Sequence, residues 1–192
     1  MPGQTKLRYT PEEYLLLERE AEHKSEYFDG EIFAMSGASE RHNLIVTNLV
    51  RELSLQLKGR ACKTYSNDMR VKVTSTGLYT YPNVIVLGGK AVFDDEQEDT
   101  LLNPTVIVEV LSKSTGGYDK GEKFAHYRKL ESLADYLLVS QGKYHVEHYF
   151  RQRDSQWLLS ETENLKSAFP ISSINCVLSM AEIYDKVGIT PA

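Results

Sequence analysis

The sequence predicts a mixed α/β fold of the α+β kind, with a central mixed β-sheet flanked by helices. Three observations predict it. Two nearly continuous apolar runs, residues 83–87 and 105–111, have the length and composition of strands buried on both faces. Ile45, Leu49, Leu53 and Leu57 repeat every four residues, the spacing of one helix face. DYLLVS, HVEHYF and QWLLS follow one another as strand-like runs, with turn residues at Gln141-Gly142 and Asp154-Ser155. Interleaved periods of this kind place helices against one sheet. The 192 residues suit one domain spanning 1–192.

Thr10 can cap a first helix, with Pro11 at its first position and Glu13 completing a capping box, and the helix runs to about residue 22. SEYFDGEIFAM then reads as two strands around Asp29-Gly30, a pair suited to a two-residue hairpin turn. Ser39 caps the second helix, which carries the leucine ladder until Gly59 stops it. Short strands near 63–65 and 69–73 precede the two buried runs. Between those runs, Asp94, Asp95, Glu96, Glu98 and Asp99 read as a solvated acidic loop. A helix over about 119–130 leads into the three later strands. Ser179-Met180-Ala181-Glu182 reads as a capping box for a short last helix.

Apolar residues at 41 % and charged residues at 26 % exclude a disordered chain. No run has the length of a membrane span, and the opening MPGQTKLRYT lacks a leader's apolar core. Cys62 and Cys176 have no metal-binding spacing, and reduced thiols in a cytoplasm are the simplest expectation. A net charge of −5, from 22 basic and 27 acidic side chains, excludes a protein that coats nucleic acid through bulk charge. It leaves room for an enzyme that meets phosphates through a metal and a local basic patch.

The anomaly is Glu109, inside Val106-Ile107-Val108-Glu109-Val110-Leu111. A buried carboxylate needs a cation, a donor or a metal, or else takes up a proton. A salt bridge to a lysine or arginine satisfies it as well as a catalytic site does. Asn83 stands at the edge of the preceding apolar run, after Pro82. It can face Glu109 if the strands are neighbours, or simply cap a loop. Lys123 and Tyr127 are four apart on the predicted helix and share a face. A lysine beside metal carboxylates can offset charge in phosphoryl transfer, although a solvated helix face accounts for it equally simply. His145 and His148 are three apart on a strand, so they point to opposite faces and form no paired ligand set.

Several segments together resemble the Uma2 family of restriction endonucleases, in the PD-(D/E)xK nuclease superfamily. They are TPEEYLLLE, KSEYFDGEIFAMSGAS followed by RHN, YSNDMRVKV, YPNVIVLGG, NPTVIVEVLSKST and YDKGEKFAHYRKLESLADYLLVSQ, covering roughly residues 10–151. The resemblance implies a restriction-endonuclease-like core and divalent-metal-dependent cleavage of DNA phosphodiesters. It implies that Glu109 is the acidic residue of the second core strand and Lys123 the family's lysine, displaced onto the following helix. Glu26 matches the glutamate before the Asp-Gly hairpin, and His42 the histidine beside the site. Where the family usually reads Tyr-Pro-Asp, this chain reads Tyr81-Pro82-Asn83, and Lys113 replaces a common proline.

The catalytic set expected is therefore Glu109, Lys123, Asn83 and Glu26, with Glu109, Asn83 and Glu26 holding Mg²⁺, or Mn²⁺ in its place. Asn83 brings no charge to the metal, so either the metal binds weakly and activity is impaired, or Asp68 or Glu26 supplies the missing charge, or the site is dead. The alternative is an inactive nuclease-fold protein acting as a nucleic-acid-binding or protein-interaction module. Nucleic-acid contacts are expected at His42, Arg70, Lys72, Lys120, Tyr127 and Arg128, with Lys58, Arg60, Lys63 and Lys129 in the wider basic patch. A homodimer is expected, because a double-strand cut needs two sites and most oligomers are two-fold symmetric.

Overall fold

The structure, a computed structural model, describes residues 7–112 and 116–189; the expectation for Lys113 lies outside them. Helix α1 (Pro11–Glu20) starts in the expected capping box, with Thr10 Oγ1 accepting from Glu13 N and the Glu13 carboxylate accepting from Thr10 N. Strands β1 (Ser25–Phe28) and β2 (Glu31–Ala34) form the antiparallel hairpin. Asp29 (φ 47°) and Gly30 (φ 80°) both take the left-handed conformation that its two-residue turn requires. Ser39 caps α2 (Glu40–Leu57) by accepting from His42 N. The chain continues through β3 (Cys62–Ser66), β4 (Arg70–Val73), β5 (Leu78–Thr80), β6 (Val84–Gly88), β7 (Thr100–Leu101) and β8 (Val106–Leu111).

Next come three consecutive helical pieces: α3 (Gly116–Tyr118), a π-helical turn (Asp119–Lys123) and α4 (Phe124–Tyr127). Strands β9 (Asp135–Ser140), β10 (Val146–Arg151) and β11 (Trp157–Thr162) follow, then β12 (Ala168–Ile171), β13 (Cys176–Ser179) and α5 (Met180–Ile183).

Among the described residues the strands form three sheets. Six are ordered β11-β10-β9-β8-β6-β3, five β2-β1-β5-β4-β7, and β12 pairs with β13. Within the large sheet β8 and β9 run parallel, joined by the helical crossover, and the other pairings are antiparallel. The mixed central sheet flanked by helices is thus present, with the two apolar runs at its centre.

Alternation along β6 and β8 divides the interior. Val84, Val86, Val106 and Val108 pack with the α2 ladder and α5. Ile85, Leu87 and Ile107 face the other way, onto Val71, Val73 and Leu78 of the five-stranded sheet and onto Phe124 and Tyr127. Glu109 shares parity with Ile107, so its side chain belongs to this second face.

The acidic run is a loop in which Asp95, Glu96 and Glu98 are exposed, as expected, but three of its residues are tied down: Asp94 pairs with Lys72 (2.8 Å), Asp95 with Arg19 (2.6 Å), and Asp99 with both Arg19 (2.7 Å) and Arg70 (2.9 Å). One expectation is corrected. Ser179 makes no side-chain cap, because it closes β13 before the helix begins.

Candidate active site

Asn83 and Glu109 meet at the point where β6 begins. Val84 is paired with Val108, which sets the preceding residue of one strand beside the following residue of the other. Glu109 Oε2 accepts from Asn83 N (3.3 Å), and Asn83 Oδ1 accepts from Val110 N (2.7 Å). A backbone N–H can only donate, so the amide oxygen must face it, leaving Nδ2 as the other branch. An aspartate here would keep the bond to Val110 and present a second oxygen; the asparagine presents a donor.

Lys123 lies among three carboxylates. Its Nζ is 2.9 Å from Glu26 Oε1, 3.1 Å from Glu109 Oε1 and 3.7 Å from Asp119 Oδ1, and all four side chains are at most 12 % exposed. They come from separate elements: Glu26 from β1, Glu109 from β8, and Asp119 and Lys123 from the two ends of the π-helical turn. Such turns recur at functional sites. Tyr127, one helical turn beyond Lys123 and fully buried, donates its hydroxyl to Glu109 Oε1 (2.9 Å). Thr80 donates to Glu26 Oε1.

Burial pushes the Glu109 carboxyl up to about 7; Lys123 pulls it down, while Asp119 and Glu26 add to the rise. Burial would by itself lower the Lys123 ammonium, but Glu109, Glu26 and Asp119 outweigh it and hold it well above the ordinary lysine value. Lys123 is therefore charged at neutral pH. His42, in the first turn of α2 and bonded to the Val110 backbone, is held neutral by burial, which lowers its pKa.

Glu26, His42, Asn83, Glu109, Asp119 and Lys123 line an open cleft of about 860 Å³. Its charged walls carry Glu22, Glu26, Asp68, Glu109 and Asp119 against Lys24 and Lys123. Lys24 is already paired with Asp68 (2.8 Å), whose side chain is largely exposed.

Of the residues expected to touch nucleic acid, His42 lines the cleft. Arg70 and Tyr127 do not line it. Arg70 is buried, bonding Thr100 (2.8 Å), Tyr81 (2.8 Å) and Asp99, and Tyr127 is spent on Glu109. Lys72 is tied to Asp94, Lys120 to Glu147, and Arg128 stacks on Phe124. Lys63 is in register with Leu87, at the far end of β6 from Asn83, and Arg60 caps carbonyls of Ile174 and Asn175. Lys58 and Lys129 are exposed and do not line the cleft. The sequence reading missed Asp119 as a member of the cluster. Its signal was the four-residue spacing to Lys123 on one helix.

The cleft offers hard carboxylate oxygens, the donor type a divalent cation takes, with Lys123 Nζ held where Glu26, Glu109 and Asp119 converge.

Residues 11–180 match the model of the Uma2 family, described as "Putative restriction endonuclease". Two proteins of Synechocystis sp. (strain ATCC 27184 / PCC 6803 / Kazusa), both named as uncharacterized, are similar to the chain. One is 41 % identical over 167 residues, covering 86 % of this chain and 94 % of its own length. The other is 37 % identical over 152 residues, 79 % of each. A crystal structure from Anabaena variabilis ATCC 29413, described as a putative nuclease belonging to DUF820, superposes with a TM-score of 0.77 at 19 % identity. The match covers 93 % of this chain and 99 % of that one, and it shows a shared fold.

Proposed function

The chain belongs to the Uma2 family, and from that premise we propose that it is a divalent-metal-dependent DNA endonuclease whose metal affinity is reduced by Asn83. One observation carries the reading: Glu26, Glu109 and Asp119 converge on Lys123 in a single open cleft. Glu109 and Glu26 would hold Mg²⁺ or Mn²⁺. The ion would offset phosphate charge and acidify a bound water.

The chain's own groups do the rest. Tyr127 and Thr80 fix Glu109 and Glu26 through their hydroxyls. Lys123 supplies positive charge at the cleft floor, where an anionic phosphate meets it. Asn83 holds Val110 N–H with Oδ1 and offers the ion no charge. His42 and Lys120 remain candidates to contact nucleic acid at the surface, with Lys72 and Arg128 further out. No described helix is long and apolar enough to cross a membrane. Homodimerisation is proposed through edge strand β11, where Leu158 and Leu159 are 53 % and 44 % exposed.

Calorimetric titration of Mg²⁺ and Mn²⁺, paired with nicking of supercoiled plasmid, tests the reading. Weak binding and metal-dependent nicking, both lost in Glu109→Gln, are expected. Nicking that survives Glu109→Gln unchanged would overturn it. A second reading has its own support: Lys123 already pairs with Glu26 and Glu109, and Asn83 is committed to the backbone. On that reading the chain binds nucleic acid or a protein without cutting. Oligonucleotide binding with no cleavage in Mn²⁺ is its signature.

A further inference from the structure

Away from the cleft, the β10–β11 hairpin presents a second group of ligating side chains. Glu147 is directly opposite Glu161 in the antiparallel register, and Val146 opposite Thr162, so His145 and Glu163 extend the same face by one pair. His145 Nε2 is 3.0 Å from Glu161 Oε1 and 3.7 Å from Glu163 Oε1. Ligand atoms of His145, Glu147 and Glu161 all lie within 4.8 Å of one another, a convergence found in no other such group among the described residues.

Two features set this group apart from an ordinary acidic surface. It contains an imidazole, which is 5 % exposed, beside a glutamate that is equally buried. Its like charges also face each other directly across the ladder, an arrangement that costs stability unless a cation lies between them. Lys120 and Lys143 answer Glu147 and Glu163, leaving three carboxylates against two ammonium groups.

We propose that His145, Glu147 and Glu161 form a binding site for a divalent transition metal, zinc foremost, with Glu163 within reach as a fourth ligand. The mixed nitrogen and oxygen set selects the ion class. Imidazole favours zinc and its neighbours over magnesium. Four-coordinate zinc with bonds of about 2.0–2.2 Å holds its ligand atoms roughly 3.4 Å apart. The His145–Glu161 separation of 3.0 Å is already close to that, and Glu161 and Glu163 are exposed enough to close on an entering ion. Lys120, with 45 % of its side chain exposed, gives up Glu147 to the metal by turning into solvent. The site is separate from the cleft and stands or falls independently of the nuclease reading.

The test is titration of the full-length chain with Zn²⁺ alone, followed by calorimetry, with Co²⁺ absorption as a spectroscopic check on a nitrogen-containing site. One tightly bound ion per chain is expected, with any filling of the cleft weaker, because its carboxylates are already paired with Lys123. Glu161→Gln alters an exposed side chain, so its fold is preserved; it should weaken this tight event on the order of tenfold or more. His145→Gln should remove the tight event and the Co²⁺ bands. Glu109→Gln, in the cleft, should keep the tight event and lose only the weaker one. Absence of zinc binding by the parent overturns the proposal. So does equal affinity in parent and Glu161→Gln, or zinc lost in Glu109→Gln while retained in His145→Gln.

Discussion

Replacing Lys123 by methionine leaves Glu26, Glu109 and Asp119 facing one another without their ammonium group. The three contacts of 2.9, 3.1 and 3.7 Å are each worth about 4–6 kcal/mol gross at an effective dielectric of about 20. Desolvation of the lysine and mutual repulsion of the carboxylates cancel most of that. Removing one partner of a buried ion pair costs about 3–5 kcal/mol net. Protonation is the variant's escape. In the parent, Glu109 already has a folded pKa of about 7, raised above its ordinary value. A carboxyl raised on folding contributes stability below its unfolded pKa and loses it as pH rises through the folded value. Loss of the lysine pushes the Glu109 carboxyl up further, so the penalty is large at pH 8 and shrinks towards pH 5. With a urea m-value of about 2 kcal/mol per molar, the midpoint should fall by roughly 2 M at pH 8. Urea unfolding of parent and Lys123→Met at both pH values measures this. A midpoint shift equal at pH 5 and pH 8, or no shift at pH 8, refutes the buried-cluster reasoning.

Tyr127→Phe removes the donor to Glu109 and should cost about 1.5–3 kcal/mol; carboxyl NMR titration should show the Glu109 pKa moved upward from about 7, and an unmoved titration counts against the bond. Arg70→Met breaks the buried links to Asp99, Thr100 and Tyr81, so denaturation should show about 3–5 kcal/mol of destabilisation. Its nucleic-acid affinity by gel shift at low temperature should match the parent's, and a steep loss there would return Arg70 to the binding surface. Light scattering should give a dimeric mass at micromolar concentration, and Leu158→Lys with Leu159→Lys should give a monomer; a monomeric parent removes the β11 interface.

Much of the fold was legible because local chemistry agreed with tertiary structure. The Thr10 capping box, the Asp29-Gly30 turn and the leucine ladder each have a short-range cause and appear where that cause puts them. Several other short strands were not legible. Leu78–Thr80 and Thr100–Leu101 are too brief to show a period, and Pro170 in Ala168–Ile171 reads as a breaker, though a two-stranded ribbon tolerates it. The acidic run looked solvated because its partners are far away in sequence: Arg19 is 76 and 80 residues from Asp95 and Asp99.

At the site, Glu109 was legible as a charge inside an apolar run. The partner that satisfies it was not. Sequence offered a lysine, a metal or a proton, and the structure supplies Lys123 together with the Tyr127 hydroxyl. Arg70 looked like a surface base because the alternation of β4 does not reveal which basic side chain has a buried acceptor waiting.

Restoring the missing carboxylate probes the central claim most directly. In Asn83→Asp one oxygen keeps Val110 N–H and the other joins Glu109 and Glu26 in the cleft. Like charges at about 4 Å repel by roughly 4 kcal/mol at an effective dielectric of about 20, and a divalent ion relieves that strain. Mn²⁺ affinity and plasmid nicking should therefore be measured side by side for the parent, Asn83→Asp, and Asn83→Asp with Glu109→Ala. Asn83→Asp should bind Mn²⁺ more tightly and nick faster, with both gains abolished in the double variant. Equal affinity and equal background nicking across all three would contradict it.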